Sequence, residues 1–246
     1  MSAKERNKLL KSYWPAWLLL TINYVLMMAF RGMRDYFASN VYGDLLNRDA
    51  TAADYIMADF PAAGVSCLVT MAASWIGNNW RAINVLTIIM ATGGAILVAS
   101  GILFHAGALD GKAYIILIGI GLYTAYTPSQ ALIFDRILGA TRTPGTCVFL
   151  VFATDGLAYV GTIALLLYKS LAKDLTMTNL FNDAALGLGF AIIACVMGSL
   201  LYLRLLVRPK IEAEDRLPLL PPGIASVQIA EDFIEEEGAD IVEKRR

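Results

Sequence analysis

Apolar positions along this chain neither alternate nor trace a narrow helical stripe. They come in six long blocks, residues 14–33, 55–75, 82–104, 113–138, 146–168 and 184–207, separated by short polar stretches. Each block approaches the roughly 20 residues that, at ~1.5 Å of rise per residue, cross a ~30 Å hydrocarbon layer. Barrel strands would be about ten residues long and strictly alternating, and no stretch here alternates over such a length. The pattern predicts an all-α integral membrane protein built as a six-transmembrane-helix bundle. The first block follows Lys4, Arg6, Lys8 and Lys11, as in a signal peptide, but no small-residue cleavage site follows it and five more blocks do. A retained first helix is the expectation.

Charge refines this picture. Hydrophobic residues make up 57% of the 246 positions and charged residues 17%, against about a quarter in soluble domains. The net charge of −1 conceals a segregation: residues 211–246 carry ten acids and four bases, so the remainder is mildly basic. With the N-terminus inside, ten Lys and Arg of the short connections fall on the cytoplasmic face and four on the other. Both termini are therefore expected in the cytoplasm, with the bundle in the inner (plasma) membrane. The predicted organisation is a basic N-terminal segment at 1–13, the membrane bundle at 14–208, and a proline-punctuated, acidic, mostly disordered tail at 209–246.

Stripes of small residues, Ala91, Ala95 and Ala99 in the third block and Gly187, Ala191, Cys195 and Ser199 in the sixth, predict close helix packing. Gly119 and Gly121 lack the third glycine of a nucleotide fingerprint and read as making the fourth helix pliable. Cys67, Cys147 and Cys195 show no CxxC spacing, and His105 has no metal-ligand companion nearby. No cofactor, metal or nucleic acid is expected. Nor is an enzyme: HExxH, GxSxG and paired carboxylates on one helix are all missing from the sequence.

Polar residues at membrane depth carry the functional signal. Counting from Ala16, Arg31 lies ~22 Å into the core and Arg34 ~27 Å, so Arg34 and Asp35 can snorkel outward while Arg31 is less free to. Asp59, on the descending second helix, matches the height of Arg31, and Asp155 falls ~13 Å in, near the midplane. A lone ionised carboxylate there costs several kcal/mol and must pair, protonate or line water. Arg31 has Asp59 and Asp155 as candidate partners on other helices, and Asp35 at i+4 on its own. Tyr123, Tyr126, Thr127 and Gln130 share one face of the fourth helix, where Pro128 interrupts the backbone ladder. Asn23, Met27, Arg31 and Arg34 share a face of the first. Two helices with one apolar and one wet side point to an aqueous cavity; tight interhelical hydrogen bonding is the competing explanation.

The stretches "YVLMMAFRGMRDYFASNVY" (24–42), "NNWRA" (78–82), "GLYTAYTPSQALIFDRIL" (121–138) and "VFATDGLAYVGTIALLLYK" (151–169) together resemble a bacterial membrane family catalogued as domain of unknown function 5690. That family is distantly similar to the major facilitator superfamily, and the resemblance runs from about Tyr13 to Val207. It implies a twelve-helix protein of two halves, of which this chain matches the second. "MSAKERNKLLKSYWPAWL" then reads as the connector leading into a seventh helix. It also implies a route between the halves, lined by the first and fourth helices here. The other half is not in this chain, which leaves a fragment, a split-gene product or a homodimer partner.

The expected function is a membrane transporter, or half of one, for an unidentified small solute, with an anionic solute and proton coupling through Asp155 as options. Its expected partners are the lipid bilayer, that solute, and the missing six-helix half or a second copy. The candidate binding or coupling residues are Arg31, Arg34, Asp155, Asp59, Asn23, Tyr123, Tyr126 and Gln130. The alternative is a non-transporting scaffold or sensor read out through the acidic tail.

Overall fold

A computed structural model of the chain describes Lys11 and residues 13–142, 147–171 and 177–211. The expected basic segment, apart from its last residues, and the expected acidic tail beyond Ile211 lie outside that range. Among the described residues the fold is all helical. It comprises α1 (Trp14–Tyr36), α2 (Ala38–Leu46), α3 (Ala52–Trp75), α4 (Asn79–His105), α5 (Gly111–Thr127), α6 (Ile133–Ala140), α7 (Cys147–Leu171) and α8 (Met177–Tyr202). A π-helical turn, Pro128–Leu132, joins α5 to α6, and a second, Leu203–Val207, follows α8. Six helical stretches are long and apolar enough to cross a membrane, with α5, the π turn and α6 acting as one. This is a multi-pass membrane protein.

Local chemistry sets the helix ends. Asn78 Oδ1 accepts from Arg81 N at 3.0 Å to start α4, and Asp110 Oδ1 accepts from Ala113 N at 3.3 Å to start α5. The Asp54 carboxylate accepts from the Thr51 backbone N–H and from both outer nitrogens of Arg48, fixing the first turn of α3. At the other end of the bundle Arg136 of α6 donates to Asn79 Oδ1 (3.2 Å) and to the carbonyl of Ala73 (2.9 Å). Arg136 therefore ties α6 to the turn between α3 and α4. Pro128, expected to interrupt the ladder, does so by widening it into the π turn.

The chain divides into two compact units, Met1–Leu203 and Arg204–Arg246. The second is described only over residues 204–211, all helical. Within the first, α4 packs most extensively on α8 and on α5, α1 on α7 and α8, and α3 on α5. This order places α1 and α5 side by side with α8 and α4 behind them, and leaves α3 and α7 as flanks. The core lies along the contact of these central four: Tyr24, Met27, Met90, Leu97, Tyr114, Ile118, Leu122 and Phe181. The flanks are apolar and open, with Phe60 78% and Trp75 83% exposed on α3. Such faces suit acyl chains or another apolar helix, because lipid rewards no burial between apolar surfaces.

Two packing expectations are corrected here. The alanine stripe of α4 does not form the seam, since Ala95 and Ala99 are exposed. Backbone contact is made one register over, by glycines. A Cβ on Gly94 would stand 2.8 Å from the carbonyl oxygen of Gly189 on α8, and one on Gly93 would stand 2.6 Å from that of Gly121 on α5. The stripe of α8 does not form the seam with α4 either: Gly187 and Ala191 line an apolar cleft of about 270 Å³ with Phe30 and Met33 of α1, while Ser199 is buried. Gly119 and Gly121 serve close approach rather than pliability. The unpredicted short helix α2 arises because Val41, Tyr42 and Leu45 repeat at helical spacing and are all buried.

A candidate polar site on the face of α1 and α5

The site is built on the face that α1 and α5 present between the flanks α3 and α7. Arg34 sits one turn past Arg31 on α1, and its side chain is only 4% exposed. It does not snorkel outward. Its Nη2 lies beside Gly119 of α5, where a Cβ would make an ordinary 3.6 Å contact with it and stand closer, at 3.2 Å, to the Ala58 carbonyl oxygen of α3. There Arg34 forms an ion pair with Asp59 of α3 and donates to the Tyr42 hydroxyl at 3.5 Å. Burial pushes the Tyr42 phenol above the usual tyrosine range despite the neighbouring guanidinium, so it remains a neutral acceptor for Arg34. The Asp59 side chain is 63% exposed and completes the pair from the open side.

Arg31 is paired with neither Asp59 nor Asp155 directly. Its Nε lies 3.5 Å from Asp35 Oδ2, an i,i+4 pair on α1, and its Nη1 donates to the Tyr126 hydroxyl at 3.0 Å. The guanidinium carbon lies 5.1 Å from the centre of the Tyr126 ring and 5.8 Å from that of Tyr123, within cation–π range of both. Arg31 and Asp35 are 33% and 51% exposed. No hydrogen bond joins Nη2 of Arg31 to any described residue.

Asp155 of α7 is half-buried and accepts from the Tyr24 hydroxyl at 2.5 Å. Tyr24 is stacked on Tyr126, with centroids 5.7 Å apart, and the two hydroxyl oxygens lie 3.4 Å apart. Tyr126 also receives a hydrogen bond from Gln130 Nε2 at 3.3 Å and donates to Met28 Sδ at 3.7 Å. The π turn after α5 aims Gln130 back at Tyr126, while Ser129 Oγ closes on the Tyr126 carbonyl at 2.7 Å.

Seven of the eight residues expected to form a site thus join one connected cluster: Arg31, Arg34, Asp59, Tyr123, Tyr126, Gln130 and Asp155. Asn23 does not. It is fully buried, and neither amide atom has a hydrogen-bond partner among the described residues. Tyr24, which sequence reasoning missed, holds the link to Asp155; its position seven residues before Arg31 was the available signal. The cluster can compensate charge in the membrane, bind a polar solute through the half-exposed Arg31, and pass hydrogen-bond polarity between α1, α5 and α7.

No curated protein and no solved structure matches the chain. The family model described as "Family of unknown function (DUF5690)" matches residues 1–205, and the chain belongs to that family.

Proposed function

We propose that this chain is a six-helix half of a solute carrier resembling the major facilitator superfamily, set in the inner membrane with both termini in the cytoplasm. The face of α1 and α5 lines the solute route, and another six-helix bundle, either a separate half or a second copy of the chain, covers it. One observation carries this reading. Arg31, Asp35, Asp59, Gln130 and Asp155 all lie on the side that the chain's own helices leave open, and Asp35 and Asp59 are more than half exposed there. Facing acyl chains, each carboxylate would cost about 2.5–3.5 kcal/mol or more. Water or protein must therefore stand against them, as in a cavity between two bundles. The excess of Lys and Arg on one set of connections supports the orientation.

Spin labelling tests the reading. In a background with Cys67, Cys147 and Cys195 replaced, Gln130→Cys and Ile88→Cys are labelled and reconstituted in liposomes. Position 130 is expected to be relaxed mainly by a water-soluble nickel chelate. Position 88, an exposed apolar site on α4 behind the bundle, should be relaxed mainly by oxygen dissolved in lipid. Equal, lipid-like behaviour at the two positions removes the aqueous route and the carrier with it.

A further inference from the structure

Between Arg31 and Asp155 the hydrogen bonds have one direction. Tyr24 has a single proton and commits it to Asp155 Oδ1 at 2.5 Å. Across the 3.4 Å contact of the two hydroxyls Tyr24 can then only accept, and the one proton of Tyr126 is shared between that contact and Met28 Sδ at 3.7 Å. The Tyr126 oxygen in turn accepts from Arg31 Nη1 at 3.0 Å. Guanidinium, hydroxyl, hydroxyl and carboxylate form a polarised chain, an ion pair relayed through two tyrosines from α1 through α5 to α7.

The two arginines of α1 consequently have different fates. Arg34 is enclosed and neutralised by Asp59. Arg31 has Asp35 at 3.5 Å and the distant end of the relay, and its half-exposed guanidinium is held by the rings of Tyr123 and Tyr126. Its Nη2 edge is the donor available to a ligand, and a planar guanidinium edge matches the oxygens of a carboxylate or phosphate.

We propose that Arg31 is the anchor for a small carboxylate or phosphate-bearing anion, and that its affinity is linked to protonation of Asp155 through the Tyr24–Tyr126 relay. This deepens the carrier reading and rests on it. With Asp155 ionised, the relay stabilises Arg31 and competes with an anion. A proton taken from water onto the free oxygen of Asp155 removes the negative end, and Arg31 keeps only Asp35. By reciprocity, a bound anion holds the proton on Asp155 with the same coupling free energy. Anion binding therefore tightens as pH falls.

The other charged groups on elements packed against α7 do not replace this link. On α1, Arg34 is held by Asp59 and Asp35 faces Arg31. On α6, Arg136 is held by Asn79 and Ala73, and Asp135 is exposed with no ion pair among the described residues. The π turn contributes Gln130, which does not titrate.

The test uses the full chain in lipid nanodiscs, titrated calorimetrically with succinate, inorganic phosphate and, as a cationic control, choline, from mildly acidic to mildly alkaline buffer. Succinate or phosphate is expected to bind more tightly in acid, by a factor in the roughly 5- to 150-fold range of such couplings. Arg31→Gln should abolish binding, whereas Arg31→Lys should retain part of it. Asp155→Asn should fix the acid-side affinity at every pH. Tyr126→Phe and Tyr24→Phe should still bind the anion but lose the pH dependence, and infrared difference spectra should show the anion-induced protonated-carboxyl band in the parent and not in Asp155→Asn. Failure of both anions to bind at any pH overturns the proposal, as does an unchanged pH dependence in Tyr126→Phe, Tyr24→Phe and Asp155→Asn. Binding of choline that Asp155→Asn abolishes overturns the anion assignment and leaves the carrier reading intact, because that reading falls only with the spin-label result.

Discussion

Asp59→Ala should destabilise the bundle by about 3 kcal/mol, the low end of what breaking a buried pair costs. The reason is what remains behind. Arg34, with a 4% exposed side chain, would be left among α1, α3 and α5 with no carboxylate pair of its own, only the Tyr42 hydroxyl and the ring of Tyr123, whose centre lies 5.8 Å from the guanidinium carbon. Arg34→Met should cost less, about 1 kcal/mol, because the abandoned Asp59 is 63% exposed and can be hydrated or protonated on the open face. Arg34→Met combined with Asp59→Ala should recover most of the loss of Asp59→Ala alone, since no unpaired ion is then buried. Thermal unfolding in detergent, followed by tryptophan fluorescence, measures all three; for a chain of this size the first loss corresponds to a fall in Tm of roughly 6–12 °C. Equal effects of the two single changes would show that Arg34 is not desolvated as the packing requires.

That pair also marks where sequence reasoning stops. The six spans were legible because a twenty-residue apolar block has few other uses, and Pro128 was legible as a break in the ladder. Which arginine meets which acid was not. Arg31 and Arg34 are three residues apart, and height above Ala16 puts Asp59 level with Arg31 while leaving Asp155 open as its partner. The choice is made instead by the direction in which each side chain leaves α1, Arg34 toward Asp59 of α3 and Arg31 toward Tyr126 of α5. Such directions become visible only when the helices are placed against each other. Tyr24 was passed over for a related reason. An aromatic ring inside an apolar block reads as core, and Tyr24 is core by burial, yet its hydroxyl ends on Asp155. The depth of Asp155 could be counted along its own helix; the partner that reaches it comes from α1.

Small-residue stripes failed more instructively, and the failure gives a second large effect. Spacing alone selects Ala91, Ala95 and Ala99 on α4 and Gly187, Ala191, Cys195 and Ser199 on α8, but the seam follows Gly93, Gly94, Gly121 and Gly189. Gly94→Ala would press its Cβ to 2.8 Å from the Gly189 carbonyl oxygen and 3.1 Å from Ile192 Cγ2, and Gly93→Ala to 2.6 Å from the Gly121 carbonyl oxygen and 2.7 Å from Ala125 N. Backbone atoms cannot swing aside as a side chain can, so the helices must part. Each change should cost about 1–3 kcal/mol, and Gly93→Val should prevent assembly of a monodisperse bundle. Gly94→Ala and Gly189→Ala combined should cost less than their sum, because the first already opens the seam that the second would open. Gly187→Ala is the control: a Cβ there meets nothing within 4 Å, and alanine favours the helix over glycine by up to about 1 kcal/mol. Its Tm should hold or rise. If Gly187→Ala destabilises as much as Gly94→Ala in size-exclusion profiles and unfolding curves, the stripe is the seam after all, and α8 is rotated away from the placement that also stacks Phe181 on Phe30 of α1.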